Sequence, residues 1–184
     1  MKKQLYIIHG YSATPEEHWF PWLKKQFENK GWNASVLRMP DSENPKVNEW
    51  IETLNKNVKE LNENTYFVAH SLGTITLLKY LTQYEELPEF GGFVLVSGFD
   101  RKIPKYEVLH PFVEGKTDYK KINSKAKKRF VVASENDTIV PIELSREMAE
   151  KLNAELYILK KAGHFLAREG ITELPLVEEL LEKE

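Results

Sequence analysis

The chain has 184 residues, within the range of about 100–200 for one ordinary domain, and no cysteine. Disulfides, thiolate metal sites and a cysteine nucleophile are therefore excluded. Its 26 Lys+Arg against 28 Asp+Glu leave a formal net charge of -2, which gives no electrostatic reason to expect nucleic acid or membrane as partners.

The hydrophobic share of 41% and charged share of 29% suit a folded globular domain, here expected as one unit over 1–184. Met1-Lys2-Lys3 has the look of a secretory n-region, but the apolar run Leu5 to Ile8 stops at His9-Gly10. A signal h-region needs about 7 to 15 apolar residues and a membrane span about 20. A cytoplasmic chain is expected.

Six short apolar runs read as strands: Leu5–His9, Ala34–Arg38, Tyr66–His70, Phe93–Ser97, Phe130–Ser134 and Leu156–Leu159. Several are apolar on successive residues, as parallel strands covered on both faces are. Helical patterns lie between them. The first opens at Thr14-Pro15-Glu16-Glu17 and closes at Gly31; the second runs from near Asn44 to Leu61. A third follows Ser71, with Leu72, Ile75, Leu78 and Leu81 on one face; a fourth begins at Pro141, and the last spans 173–184. This alternation predicts a doubly wound α/β fold, a six-stranded parallel sheet with helices on both faces and no large cap. The segment 99–128 fits no single period. Its basic run, Lys116 to Arg129, reads as a solvated helix face in preference to an anion-binding patch.

In such a sheet ligands bind beyond the carboxyl ends of the strands, so chemistry is sought in those loops. The third strand ends in Ala69-His70-Ser71-Leu72-Gly73 with a helix directly after it. That is a strand-turn-helix bend with serine at its apex, G-x-S-x-G in form with Ala69 for the first glycine. The fifth strand leads to Asp137, with Glu135 as local competitor, and the sixth to Gly163-His164-Phe165. Ser71, Asp137 and His164 thus stand in the order Ser…Asp…His, each beyond its own strand, which is the constellation of nucleophile, orienting acid and base. Gly10 lets the backbone approach a ligand, so the Tyr11 and Leu72 amides are the expected oxyanion donors. His9 is expected to hold the loop's shape and His70 to be buried; His18 and His110 lack acid partners. No grouping has metal-ligand spacing, and no cofactor is required.

With these residues in place the chain resembles the small, uncapped serine hydrolases of the retinoblastoma-binding-protein-like family, in its bacterial, YdeN-like branch. The resemblance rests on Tyr6–Tyr11, His18–Trp22, Val68–Gly73, Val94–Phe99, Asp137–Pro141 and Gly163–Phe165, spread over nearly the whole chain. It implies an α/β-hydrolase fold lacking the first two strands of larger relatives, a Ser71–Asp137–His164 triad and esterase-like activity on small acyl substrates. The retinoblastoma-binding role of animal relatives uses a Leu-x-Cys-x-Glu motif, which a chain without cysteine lacks, so no such partner is expected. A shallow acyl pocket lined by Phe99, Ile139 and Phe165, with residues of 103–113, is expected for a small-molecule acyl substrate. Thioesters and small amides remain alternatives on the same triad, and a non-catalytic binding module is the alternative of a different class.

Overall fold

The computed structural model describes residues 2–183. Six strands form one sheet: β1 (Gln4–Ile8), β2 (Asn33–Leu37), β3 (Thr65–His70), β4 (Phe90–Val96), β5 (Ala126–Ser134) and β6 (Glu155–Leu159). All are parallel, in the order β2-β1-β3-β4-β5-β6. Every residue of β3 and β4 is buried, which is why those runs lack polar alternation. The chain moves outward from β1 to β2 and returns on the other side of β1 with β3. This reversal opens the crevice between the carboxyl ends of β1 and β3, where open α/β sheets bind ligands.

Two cores flank the sheet. On one face α1 (Phe20–Asn29) and α7 (Pro175–Glu182) bury Phe20, Leu23, Phe27, Val177 and Leu181 against Leu5, Ile7, Val68 and Val94. On the other, α2 (Val47–Asn57), α3 (Leu72–Thr82), α5 (Tyr119–Lys125) and α6 (Ile142–Lys151) bury Trp50, Leu54, Leu78, Ile122 and Met148 against Ile8, Phe67 and Leu95. Helix α3 is buried all round, where the sequence predicts a single apolar stripe, because α2, α5 and the single-turn α4 (His110–Val113) all pack on it. Its threonines bond back onto the local backbone: the Thr74 hydroxyl donates to Ser71 O (2.6 Å) and Thr76 to Leu72 O (2.9 Å).

Helix boundaries differ from the sequence reading most at the start of α1 and at both ends of α2, which spans Val47–Asn57 against 44–61. Helix α1 starts at Phe20, not at Thr14, because His18 takes a left-handed backbone (φ 56) and Pro21 opens the helix instead. Helix α2 ends at Asn57, whose side-chain amide donates to Thr53 O (2.7 Å) as Val58 becomes extended.

The 99–128 segment contains a 3-10 turn at Glu107–Leu109, then α4 and α5. Part of its basic run is engaged, while Lys116 and Lys120 are exposed as the solvated-face reading expects. Lys121 donates to Thr82 O (2.8 Å) and Tyr84 O (2.6 Å), Arg129 to Ala126 O (2.7 Å) and Asn123 O (3.1 Å), and Lys127 pairs with Glu63. Lys121 and Arg129 satisfy carbonyls at helix ends and turns, where helix dipoles favour positive charge, whereas Lys127 makes a surface ion pair.

Candidate active site

Ser71 stands at the bend between β3 and α3 with φ 53 and ψ -120, a left-handed backbone that is rare for a residue with a side chain. Its amide donates to Val96 O (2.9 Å), which fixes the bend against β4. Close approach demands glycine on both sides. A Cβ on Gly73 would lie 2.6 Å from Ile8 O, and one on Gly10 would lie 2.9 Å from the Ser71 Cβ. Ala69, the departure from the usual motif, is accommodated inside the sheet with no exposure.

The three residues sought beyond separate strands form one relay. The His164 Nε2 lies 3.0 Å from Ser71 Oγ, and His164 Nδ1 lies 2.8 Å from Asp137 Oδ2. The side chains of His164 and Asp137 are 5% and 2% exposed, so water does not screen the pair. Asp137 Oδ1 accepts the amides of Ile139 and Val140, each at 2.9 Å. Burial pushes the Asp137 carboxyl up, but the His164 bond and charge and the two amides outweigh it, holding the group below its ordinary value. Ionised Asp137 fixes a proton on His164 Nδ1 and leaves the Nε2 lone pair facing the Ser71 hydroxyl. Glu135, the competing carboxylate, is exposed.

The amides of Tyr11 and Leu72 have no acceptor among the described residues. Tyr11 follows Gly10, which touches Ser71, and Leu72 opens α3, so both flank the serine. His9 shapes this loop. Its Nδ1 donates to Gly10 O (2.9 Å), and its Nε2 accepts the Met39 amide (3.0 Å), so both nitrogens are occupied and burial holds the ring below its ordinary basicity. His70 is fully enclosed; its Nε2 donates to His164 O (2.8 Å). Burial, then the neighbouring His164, hold it well below its ordinary value and keep it neutral.

Several supporting groups have no role assigned to them by the sequence reading. Glu169 Oε2 accepts the amides of His164 (2.8 Å) and Leu166 (3.0 Å), pinning the base-bearing loop. Gly163 makes room for that carboxylate: its φ is +55, and a Cβ there would meet Glu169 Oε1 at 2.3 Å. Ser97 at the end of β4 donates to Asp137 Oδ2 (2.8 Å). Asn136 accepts from Gly163 N (2.8 Å) and Ser134 Oγ (2.8 Å), joining the acid and base loops.

A cavity of about 680 Å³ opens over Ser71. Phe99, Ile103, Tyr106, Leu109 and Ile139 line it on the side of the α3 core, while Glu16, His18, Arg168 and Thr172 line it near His164. Ile103, Tyr106 and Leu109 form one wall and Leu166, Ala167, Arg168 and Thr172 another. Phe99 and Ile139 stand where the sequence reading puts them. Phe165 does not: its ring is fully buried against the α1/α7 core, because φ 60 turns it away from the cavity. Its backbone contributes locally, the carbonyl accepting Trp19 Nε1 (3.2 Å) and the amide donating to Ala162 O (2.9 Å). Among the described residues no cluster of three or more His, Asp or Glu is arranged to hold a metal ion.

A family model described as serine hydrolase matches residues 5–183. The chain belongs to the serine hydrolase family. It is 44% identical over 181 residues to the Bacillus subtilis (strain 168) hydrolase YdeN, covering 98% of this chain and 95% of that one. The crystal structure of the B. subtilis ydeN gene product matches this serine hydrolase with a TM-score of 0.95, covering 98% and 97% of the two chains. The serine hydrolase RBBP9 of Rattus norvegicus is 23% identical over 159 residues, 85% of this chain and 83% of its own. A structure from a study of Nitrososphaera gargenis carboxylesterases shares the fold, with a TM-score of 0.72 at 12% identity over 98% of this chain and 89% of that one. This serine hydrolase is therefore a hydrolytic enzyme on a six-stranded α/β-hydrolase sheet with no large cap. Among the described residues no helix is long and apolar enough to cross a membrane.

Proposed function

We propose that this hydrolase is a carboxylesterase-type enzyme that cleaves small acyl esters through a covalent acyl-enzyme. The observation that carries the reading is the unbroken relay from Ser71 Oγ to His164 (3.0 Å) to Asp137 (2.8 Å), beside two unpartnered amides. His164 Nε2 takes the Ser71 proton as Oγ attacks the ester carbonyl carbon. The carbonyl oxygen, now anionic, receives the Tyr11 and Leu72 amides. His164 then protonates the leaving alcohol as the C–O bond breaks, and water, deprotonated by the same imidazole, releases the acid and restores Ser71.

Because His164 must reach the leaving oxygen, the leaving group lies toward the polar wall of His18, Arg168 and Thr172. The acyl group then lies against Phe99, Ile103, Tyr106, Leu109 and Ile139. A cavity of about 680 Å³ is ample for a small acyl ester, and its apolar half favours esters over charged acyl groups. The same relay serves thioesters and small amides.

Labelling with a fluorophosphonate probe tests the reading. The wild type is expected to label and Ser71→Ala not to; an unlabelled wild type, or equal labelling of the variant, overturns it. A panel of acyl esters and thioesters with common acyl groups then ranks the substrates. The substitution Ile103→Trp is expected to cut turnover of the longer acyl esters while acetyl esters survive, and uniform loss across the panel would refute the assigned acyl side.

A further inference from the structure

Strands β3 and β4 pair side by side, with His70 opposite Val96, and each is followed or closed by a serine in unusual backbone. Ser71 has φ 53 and Ser97 φ 50. Left-handed residues with side chains persist where surrounding contacts hold them, and they gather at functional sites. Ser71 turns its hydroxyl to the base. Ser97, only 1% exposed, turns its hydroxyl to the acid, donating to Asp137 Oδ2 at 2.8 Å.

That oxygen is the one that also accepts His164 Nδ1–H, whereas Oδ1 is held by backbone amides. Ser97 therefore acts on the half of the carboxylate that faces the base. The position of Ser97 is itself fixed from three directions. Its amide donates to Val132 O (2.9 Å) on β5, and the Ser71 amide donates to Val96 O (2.9 Å) just before it. The Gly98 carbonyl accepts the Ser145 hydroxyl of α6 (2.9 Å), and a Cβ on Gly98 would lie 2.4 Å from Met148 Sδ. The strand end is thus stitched between the element bearing the nucleophile and the one bearing the acid.

We propose that Ser97 is a positioning residue of this hydrolase, its O–H fixing the Asp137 carboxylate against His164 and moderating the charge that His164 feels. The proposal rests on the acyl-transfer reading given above. Carboxylate oxygens share their charge among their donors. Without the Ser97 hydroxyl, Oδ2 serves His164 alone, and the carboxylate's charge falls undivided on the imidazolium that forms during the reaction. The carboxylate also loses an anchor against rotation. Ser97 does not line the cavity, so substrate binding is untouched.

The test uses Ser97→Gly, since glycine takes φ 50 without strain, with Ser97→Ala beside it. Expected for the glycine variant are a fall in kcat of about tenfold or more with KM unchanged, and an acidic limb of the kcat/KM profile moved to higher pH. In an Asp137→Asn background the same substitution is expected to add no further loss, because the hydroxyl acts through that carboxylate. Wild-type kcat and an unmoved acidic limb in Ser97→Gly would overturn the proposal. So would an activity loss that follows a lowered Tm and leaves the limb in place, or full additivity with Asp137→Asn. Failure of the wild type to react with fluorophosphonate would instead remove the acyl-transfer reading beneath it.

Discussion

Gly10→Ala separates the oxyanion site from the rest of the fold. The new methyl would lie 2.9 Å from Ser71 Cβ and 3.2 Å from His70 O, against ordinary carbon contacts of about 3.5–4.0 Å, so something must move by roughly 0.5–1 Å. Ser71 cannot yield easily, because its amide is bonded to Val96 O and its backbone is fixed at φ 53. The element that moves is the Gly10-Tyr11 peptide, carrying with it the Tyr11 amide. Losing one oxyanion donor costs about 100- to 1,000-fold in kcat, or about 2.7–4 kcal/mol. The overpacking costs stability by about 1–3 kcal/mol, which for a domain of this size lowers Tm by about 2–4 °C per kcal/mol. The matched control is Gly31→Ala, where φ is +82 but nothing lies within 4 Å of the added methyl. It is expected to lose stability and keep kcat. Steady-state kinetics on an acyl ester, with thermal unfolding alongside, read both quantities. A Gly10→Ala kcat within about threefold of wild type, or an equal loss in Gly31→Ala, would refute the reasoning.

Removing Glu169 tests the anchoring of the base. Glu169→Ala strips the acceptor from the His164 and Leu166 amides and is expected to lower both Tm and kcat, with a cost of about 1–3 kcal/mol per stranded donor. Glu169→Gln keeps a carbonyl oxygen there and should recover most of the loss, and equal damage from the two variants would contradict this account. A pH series tests the buried imidazoles. His70, His9 and His18 are held below their ordinary 6.5 by burial, so the unfolded chain binds protons that the folded one refuses. Their contribution is fully favourable above 6.5 and erodes as pH falls below it. Denaturant unfolding between about pH 8 and about pH 5 should show stability falling on acidification, less steeply in His70→Gln; an unchanged slope in that variant would show that His70 carries none of it.

How far the sequence reaches depends on the range of the interaction. Strands β3 and β4 are legible because burial on both faces leaves them apolar without alternation, and the Ser71 bend is legible because its neighbours must be small. Asp137 and His164 are legible by order and by position beyond successive strands. Ser97 is harder to find: its clue is a lone polar residue closing an apolar strand beside the Ser71 strand, and its bond to Asp137 crosses 40 positions. Glu169 lacks even that, since its role depends on Gly163 leaving space and on two left-handed turns around Phe165 and Gly170. Phe165 misleads for the same reason, because an aromatic next to the base suggests the cavity and only the backbone angle sends it inward. The basic run before β5 is legible only in part: Lys116 and Lys120 are exposed as expected, but composition cannot show that Lys121 and Arg129 donate to carbonyls.

The wall formed by Ile103–Leu109 is one short stretch of chain, anchored nearby where Phe112 packs edge-on to Trp50 and Lys79 donates to Glu114 O. It contributes no strand to the sheet, and Ser71, Asp137 and His164 all lie outside it. Under the proposed function, most of the acyl wall is therefore separable in sequence from the Ser71–His164–Asp137 relay, with Ile139, whose amide holds Asp137, as the point where the two meet. Exchanging this stretch between relatives, with its two anchors kept, offers a route to new acyl preferences on an unaltered catalytic frame.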